Sequence, residues 1–185
     1  MAVNRFKSYA MRSADQPEGF DDLPPHREEK VRIGNALAEV AARLAEAQEK
    51  AWNFWMLEQP TTSLMWLYAP IAAIIAKLTT FLVGIDVCMF GAPWRKPTTL
   101  AANFLEITQL FGRCGGTHGH ISLQGNAPCG KSWTPVASPY WPEFARAWVA
   151  VCAFLFVWTK RPGPPLVFAG FASVPADVDV HAVLE

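Results

Sequence analysis

Apolar positions between Glu28 and Lys50 recur every three or four residues, the spacing that places side chains on one face of a helix. Charged residues fill many of the positions between them, and most residues in this stretch are good helix formers. The apolar series consists of Leu37, Val40, Ala41, Leu44 and Ala47. The pattern predicts an amphipathic helix over residues 28–50.

Shorter apolar runs follow this helix, and prolines, glycines and hydroxyl residues separate them. The first run predicts a strand at Asn53–Leu57 that ends at Glu58-Gln59-Pro60, since proline removes a donor from the ladder. The predicted elements after it are a helical stretch from Leu64 capped by Thr61, Thr62 or Ser63, a short helix Ile71–Leu78 with Pro70 in its first turn, and strands Thr80–Met89 and Thr98–Asn103 around the turn Gly91–Pro97. Next come helical turns at Leu105–Phe111, a glycine-rich loop Gly112–Trp133 and a long helix Pro142–Trp158.

This order of helices and strands is typical of an α/β fold. We expect a partial Rossmann-like domain, half of a doubly wound sheet, with a β-hairpin and a long C-terminal helix. The other half of such a sheet opens with a strand, a glycine-rich turn and a helix, and residues 1–30 show none of these. The expected organisation is an irregular segment over 1–28, one α/β domain over 29–159 and a Pro/Gly-rich tail over 160–185.

The composition indicates which partners and which cellular compartment to expect. The 16 basic and 16 acidic residues cancel, so contact with nucleic acid would have to come from a local patch of charge. The four cysteines lie far apart, unlike the dense spacing of small secreted scaffolds. The first 30 residues show no signal-peptide pattern. We therefore expect an intracellular protein, cytoplasmic or nuclear, with reduced thiols.

A wholly apolar run extends from Ala147 to Trp158, and Lys160 and Arg161 follow it. This run is shorter than the roughly 20 residues that cross a bilayer, which favours a helix of the protein core. The tryptophans that flank residues 141–158 and the basic pair after them also suit an interfacial anchor. A small membrane-associated protein is therefore an alternative.

Polar side chains follow two strands that we expect to be neighbours in the sheet. Glu58 comes at the end of the first strand, and Arg95 and Lys96 lie in a turn that Pro93 and Pro97 stiffen. Carboxyl ends of strands are where open α/β sheets bind ligands. We expect one shared rim with a carboxylate and two cations, suited to a nucleobase and its phosphates. Ordinary ion pairing by Glu58 and a solubilising hairpin tip are the alternatives.

Two short motifs carry a resemblance to a known family. The residues are Glu58-Gln59-Pro60 and, about thirty positions later, Phe90-Gly91-Ala92-Pro93-Trp94-Arg95-Lys96. Over residues 31–103 the chain resembles the C-terminal half of the catalytic domain of C5-cytosine DNA methyltransferases, particularly the methyltransferase-like proteins of phages and of algal and fungal retroelements. The resemblance implies a partial methyltransferase-like domain over 29–159.

In that family, the residue matching Glu58 hydrogen-bonds N3 and the amino group of a flipped cytosine, and the residue matching Arg95 faces O2 or a phosphate. The resemblance implies a catalytic role for Glu58 and nucleic-acid contacts for Gln59, Ser63, Arg95 and Lys96. Flipping is needed because the reacting edge is otherwise unreachable.

The chain departs from that family in four respects. Gln59 stands where asparagine is usual and Trp94 where glutamine is usual. The Phe-x-Gly-x-Gly turn is missing, and no Pro-Cys nucleophile loop precedes Glu58, because Pro128-Cys129 lies after it. We therefore expect a nucleic-acid-associated domain of mobile-element origin that does not methylate alone. It would use S-adenosylmethionine only if a second chain supplied the missing N-terminal half.

The glycine-rich loop offers two further possibilities. Residues 125–132 fit the phosphate-loop pattern G-x-x-x-x-G-K-[ST], but Pro135, Pro139 and Pro142 oppose the helix that such a loop requires. Cys114, His118, His120 and Cys129 are suitable zinc ligands, although their spacing fits no common zinc finger. We assign no metal ligand from the sequence, and a zinc-binding module is an alternative.

Overall fold

A computed structural model describes residues 10–159 of the chain. Helix α1 spans Pro25–Lys50 and begins three residues before the predicted start. Pro25 suits the first helical position, because the N–H that proline lacks would have no partner inside the helix there. The buried side of α1 is lined by Val31, Ala38, Ala42 and Ala45. Its three alanines share a buried cluster with Ile71 and Ile74, and their small side chains let the helix approach that segment closely.

Three strands form one antiparallel sheet, so the predicted mixed α/β class is confirmed. The strands are β1 at Met56–Pro60, β2 at Phe81–Asp86 and β3 at Pro97–Ala102, in the spatial order β1-β3-β2. The predicted hairpin is present, because β2 pairs with β3. Within residues 10–159 the sheet contains no parallel pair of neighbouring strands. The finer assignment to half of a Rossmann-like sheet stays a prediction.

The two strands that we expected to be neighbours are separated by β3, and this expectation was wrong. Both strands pair antiparallel to β3, so they run in the same direction and their carboxyl ends lie at one edge of the sheet. Strand β1 also begins later than predicted. The side chain of Asn103 binds the backbone at Asn53 and Trp55 and takes the place of ladder bonds there. Pro60 is accommodated because β1 is an edge strand.

Helices cover both faces of the sheet. Helices α1 and α2 (Ala69–Ile75) pack on one face, where Leu57 and Ala101 are buried. Helix α4 (Pro142–Thr159) packs on the other face, with Phe144 against Val83 and Leu100. The remaining helical segments are Leu64–Leu67, Val87–Phe90 and Leu105–Leu110, all of the 3-10 type, and a single turn, α3, at Trp133–Val136.

Several local predictions are confirmed. Ser63 caps the segment Leu64–Leu67 by accepting a hydrogen bond from Met65 N, and Pro70 lies in the first turn of α2. The long helix over 142–158 is also present. Across the part of the chain that the structure describes, none of the helices combines the length and apolarity needed to cross a membrane. The predicted tail over 160–185 and residues 1–9 of the predicted irregular segment lie outside the described residues. Residues 10–24 form no helix or strand, as predicted, and residues 25–28 belong to α1.

Candidate metal centre and the neighbouring acidic cleft

Four potential metal ligands converge beside the end of β2. Cys88 lies in the 3-10 turn that follows this strand, and the other three come from the glycine-rich loop. The set is Cys88, Cys114, His118 and His120. One ligand atom from each residue lies within 4.8 Å of the ligand atoms of the other three. Two thiols and two imidazoles at this separation can surround a single ion.

Two of the separations among these ligand atoms match the edges of a tetrahedral site. Sγ of Cys114 lies 3.5 Å from Nε2 of His120 and 3.8 Å from Nε2 of His118. Zinc bonds of about 2.3 Å to sulfur and about 2.0 Å to nitrogen place tetrahedral ligands roughly 3.3–3.8 Å apart. The other separations are at most 4.8 Å, so side-chain movements of about 1 Å would bring all four ligands to a zinc ion.

Pairing between distant segments explains how Cys88 reaches this loop. Residue Gly112 forms a parallel bridge with Ile85, and its carbonyl accepts a hydrogen bond from Asp86 N. The chain after residue 112 consequently runs alongside the end of β2. Cys88, three residues beyond Ile85, thus comes close to Cys114.

The two thiols lie in a buried and polar environment. Cys88 and Cys114 are both buried. Burial, followed by the neighbouring Cys114 and Asp86, raises the pKa of the Cys88 thiol to about 11. The N–H of Gly116 donates a hydrogen bond of 3.3 Å to Sγ of Cys114. A bound cation would supply the stabilisation that the thiolate form of Cys88 needs.

Asp86 lies next to this cluster and binds the backbone of Cys114. The side chain is fully buried, and Oδ2 accepts a 2.8 Å hydrogen bond from Cys114 N and a 3.2 Å bond from Arg95. Arg113 lies 3.6 Å from Oδ1. Burial alone would raise the pKa of Asp86, but the Cys114 N–H and the two guanidinium groups lower it on balance. The carboxylate therefore stays charged and fixes the backbone that carries a ligand.

Cys129, the second thiol of the zinc alternative drawn from the sequence, does not join this cluster. Cys129 is exposed and lies outside the four-residue group. Its loop closes on itself instead, through a hydrogen bond from Ala127 N to Lys131 O and a bridge between Asn126 and Ser132. Cys88 was missed because it lies 26 positions before Cys114 in the chain. No signal in the sequence pointed to it, because Cys88 falls inside the predicted strand Thr80–Met89, whereas the observed strand ends at Asp86.

The phosphate-loop pattern over residues 125–132 adopts this same closed turn. No described strand precedes it, and the helix that follows, α3, has only four residues. A phosphate-binding loop needs a strand before it and a longer helix after it. The local structure is therefore that of a hairpin turn.

A narrow cleft lies on the α4 side of the sheet, and it contains two of the predicted site residues. Glu58 and Lys96 both line it, together with Trp94, Tyr140 and Trp141. The hydroxyl of Tyr140 donates a 3.0 Å hydrogen bond to Glu58, and Lys96 Nζ donates to Ala137 O at 3.2 Å. Burial, then the charge of Glu58, raises the pKa of Tyr140. The internal volume is about 10 Å³, close to the room for one water molecule.

The other predicted contact residues lie elsewhere. Arg95 pairs with Asp86, and its side chain is 47% exposed. Gln59 follows Glu58 in β1, so alternation along the strand directs it to the opposite face, where it accepts a hydrogen bond from Ser63. The structure therefore brings Glu58 together with Lys96, and Gln59 together with Ser63.

Comparisons with known protein families, with curated proteins and with solved structures found no match to this chain. The methyltransferase-like resemblance accordingly stays a prediction from two motifs. The functional assignment rests on the chemistry of the two sites described above.

Proposed function

We propose that this protein is a zinc-binding α/β module, in which the metal joins the end of β2 to the glycine-rich loop. The convergence of Cys88, Cys114, His118 and His120 supports the proposal most directly. A set of four protein ligands leaves no open position for water or substrate, which is typical of a structural rather than a catalytic zinc.

A bound metal would help to order the glycine-rich loop. Between Gly112 and Ser132 it contains no helix or strand, only isolated bridges. Its glycines increase the entropy that is lost when the loop becomes ordered. A bound ion would offset part of this cost, because its binding free energy adds to the stability of the folded state. The loop also contacts the turn between β2 and β3, since Ile121 N donates to Pro93 O.

Cobalt(II) substitution tests the proposal by reporting coordination directly. We expect the protein to bind about one equivalent of Co²⁺ with the intense visible absorption of a tetrahedral site and a sulfur-to-metal charge-transfer band. The variant Cys114→Ser should weaken both signals, and Cys129→Ser should leave them unchanged. Weak octahedral absorption in the unmodified protein, with no sulfur band, would contradict the proposal.

Contact with nucleic acid is a second candidate, in which Lys96, beside Glu58 at the cleft, would meet a phosphate. The cleft has room for about one water molecule and would not take a nucleobase. Here the chain would be a methyltransferase-like domain of mobile-element origin that is inactive alone. S-adenosylmethionine would enter only with a second chain that supplies the missing half. Arg95 would contribute less than the motif suggests, because Asp86 already engages its guanidinium.

Binding of short single- and double-stranded DNA at low salt tests this candidate. We expect Lys96→Gln to weaken binding several-fold and to lower the salt dependence by about one counterion, because one phosphate contact is lost. The matched control is Lys131→Gln, which removes an exposed cation in the loop hairpin. Equal binding by the two variants and the unmodified protein would remove the candidate.

A further inference from the structure

Helix α1 has a second apolar side that faces away from the sheet. Four large side chains on this side are substantially exposed: Ile33 at 47%, Leu37 at 58%, Val40 at 53% and Leu44 at 41%. The residues that face the sheet are different and mostly alanine. The helix thus carries large apolar side chains on its outer side and small ones on its inner side, the reverse of what packing on the sheet alone would require.

The spacing of these four residues is that of a coiled-coil seam. Successive members lie four, three and four positions apart, which corresponds to alternating d and a positions of a heptad. Lys30 and Ala47 extend the series by one position at each end. We name the four large residues, Ile33, Leu37, Val40 and Leu44, the outer stripe.

We propose that two copies of this chain associate through the outer stripe, with their α1 helices antiparallel. In this register Ile33 of one copy packs against Leu44 of the other, and Leu37 packs against Val40. The twofold axis repeats both pairs, so all four large residues are covered. Dimerisation would leave the buried side of α1 undisturbed, because the residues on that side differ from those of the outer stripe.

The charges beside the stripe favour a second copy in this orientation. Glu29 and Lys50 both occupy the g position of the heptad, and Glu29 also pairs with Arg32 in its own helix while staying 52% exposed. The antiparallel register places Glu29 of each copy opposite Lys50 of the other, giving two intermolecular ion pairs. A parallel pairing would instead place Glu29 beside Gly34 and Arg43 beside Gln48, with no charge pair. Charge complementarity therefore selects the antiparallel dimer.

The seam is short, and its strength is limited accordingly. Four large apolar layers bury less area than a standard protein interface, so a dissociation constant in roughly the micromolar range is expected. The proposal does not depend on a metal, because the cysteine and histidine cluster belongs to other elements.

Sedimentation velocity on the full chain, from about 1 to about 200 µM, tests the proposal. We expect a monomer–dimer equilibrium that Leu37→Glu shifts at least tenfold toward monomer. Leu37 is exposed in the single chain, so circular dichroism should show an unchanged fold. The matched control is Leu78→Glu, which changes a fully exposed leucine outside α1 and should leave the equilibrium unaltered.

A charge-swap series identifies the partner and its orientation. Glu29→Lys and Lys50→Glu should each weaken dimerisation several-fold, and the double variant should restore it. Monomer at all concentrations, or a dimer that Leu37→Glu does not affect, would overturn the proposal. Failure of the double swap to restore dimerisation would also overturn it, since another protein or the chain's own termini would then be the better occupant of the outer stripe.

Discussion

Asp86 and Cys114 are joined by a hydrogen bond of 2.8 Å from the backbone N–H of Cys114 to a buried carboxylate oxygen. The bond links the last residue of β2 to the first ligand of the glycine-rich loop. Arg95 and Arg113 complete the surroundings of the same carboxylate. Asp86 therefore couples the predicted cationic turn to the candidate metal centre.

Replacement of Asp86 by asparagine should weaken both stability and metal binding. An amide oxygen can still accept from Cys114 N, but two guanidinium groups lose their anionic partner. We expect a loss of roughly 1–3 kcal/mol in the free energy of unfolding and about a 10- to 100-fold loss in zinc affinity. Chemical denaturation and chelator competition measure these quantities. The exposed Asp22→Asn is the control, and equal behaviour of the two variants would contradict this role.

A side chain at Gly84 should displace Arg113, whose guanidinium lies directly over this residue. A Cβ at this position would overlap the Arg113 guanidinium and move it away from Asp86. We expect Gly84→Ala to cost about 0.5–1 kcal/mol of stability, because only the flexible end of Arg113 must move, with little further loss when Arg113→Ala is added. Gly119→Ala, where a Cβ meets nothing within 4 Å, is the control. Fully additive effects in denaturation of the double variant would exclude this coupling.

The contact between Tyr140 and Glu58 should be measurable as stability. Tyr140→Phe removes the hydroxyl that donates to Glu58 and leaves the carboxylate in the cleft with one partner fewer. We expect a loss of about 0.5–1.5 kcal/mol in the free energy of unfolding. Tyr68→Phe is a suitable control, since the Tyr68 hydroxyl makes no hydrogen bond within the described part of the chain. A change no larger than in this control would argue against a structural role for Glu58.

Lowering the pH should weaken the contact between Glu49 of α1 and the segment before β2. Hydrogen bonds from Lys77 and then Thr79 lower the pKa of Glu49 in the folded protein. A lowered folded-state pKa means that Glu49 stabilises the fold above its unfolded pKa of about 4.3 and that this contribution is lost as the pH falls through the folded value.

We therefore expect Glu49→Gln to be less stable than the unmodified chain at pH 7 by about 0.5–1 kcal/mol, with a smaller difference near pH 3. Urea denaturation at both pH values measures the two differences. Glu18→Gln, at an exposed position before α1, is the control. A difference that is the same at both pH values would show that the charge of Glu49 does not contribute.

Sequence periodicity was sufficient to locate the elements that depend on local signals. The α1 pattern, the Ser63 cap, Pro70 in α2 and the β2–β3 hairpin all follow from residues close together in the chain. Strand order did not follow, because the placement of β3 between β1 and β2 depends on packing across the whole sheet. The start of β1 was missed for a similar reason, since Asn103 supplies its backbone partners from 48 to 50 positions away.

The candidate site was only partly accessible to sequence reasoning. Cys114, His118 and His120 were identifiable as possible ligands, because their side chains suit zinc and the loop is glycine-rich. Cys88 was not, because its approach depends on the bridge between Ile85 and Gly112. The same limit applies to the predicted rim formed by Glu58, Arg95 and Lys96. Glu58 and Lys96 do share a cleft, but the buried Asp86 that engages Arg95 could not be inferred from charge and spacing.

The zinc content of purified variants in which one cysteine is replaced by serine tests the central claim most directly. The ligand set found here predicts about one equivalent of zinc in the unmodified protein and in Cys129→Ser, with loss of most of the zinc in Cys88→Ser. The reverse result, with zinc retained by Cys88→Ser and lost from Cys129→Ser, would contradict the proposed centre. Absence of zinc from the unmodified protein after reconstitution would contradict it as well.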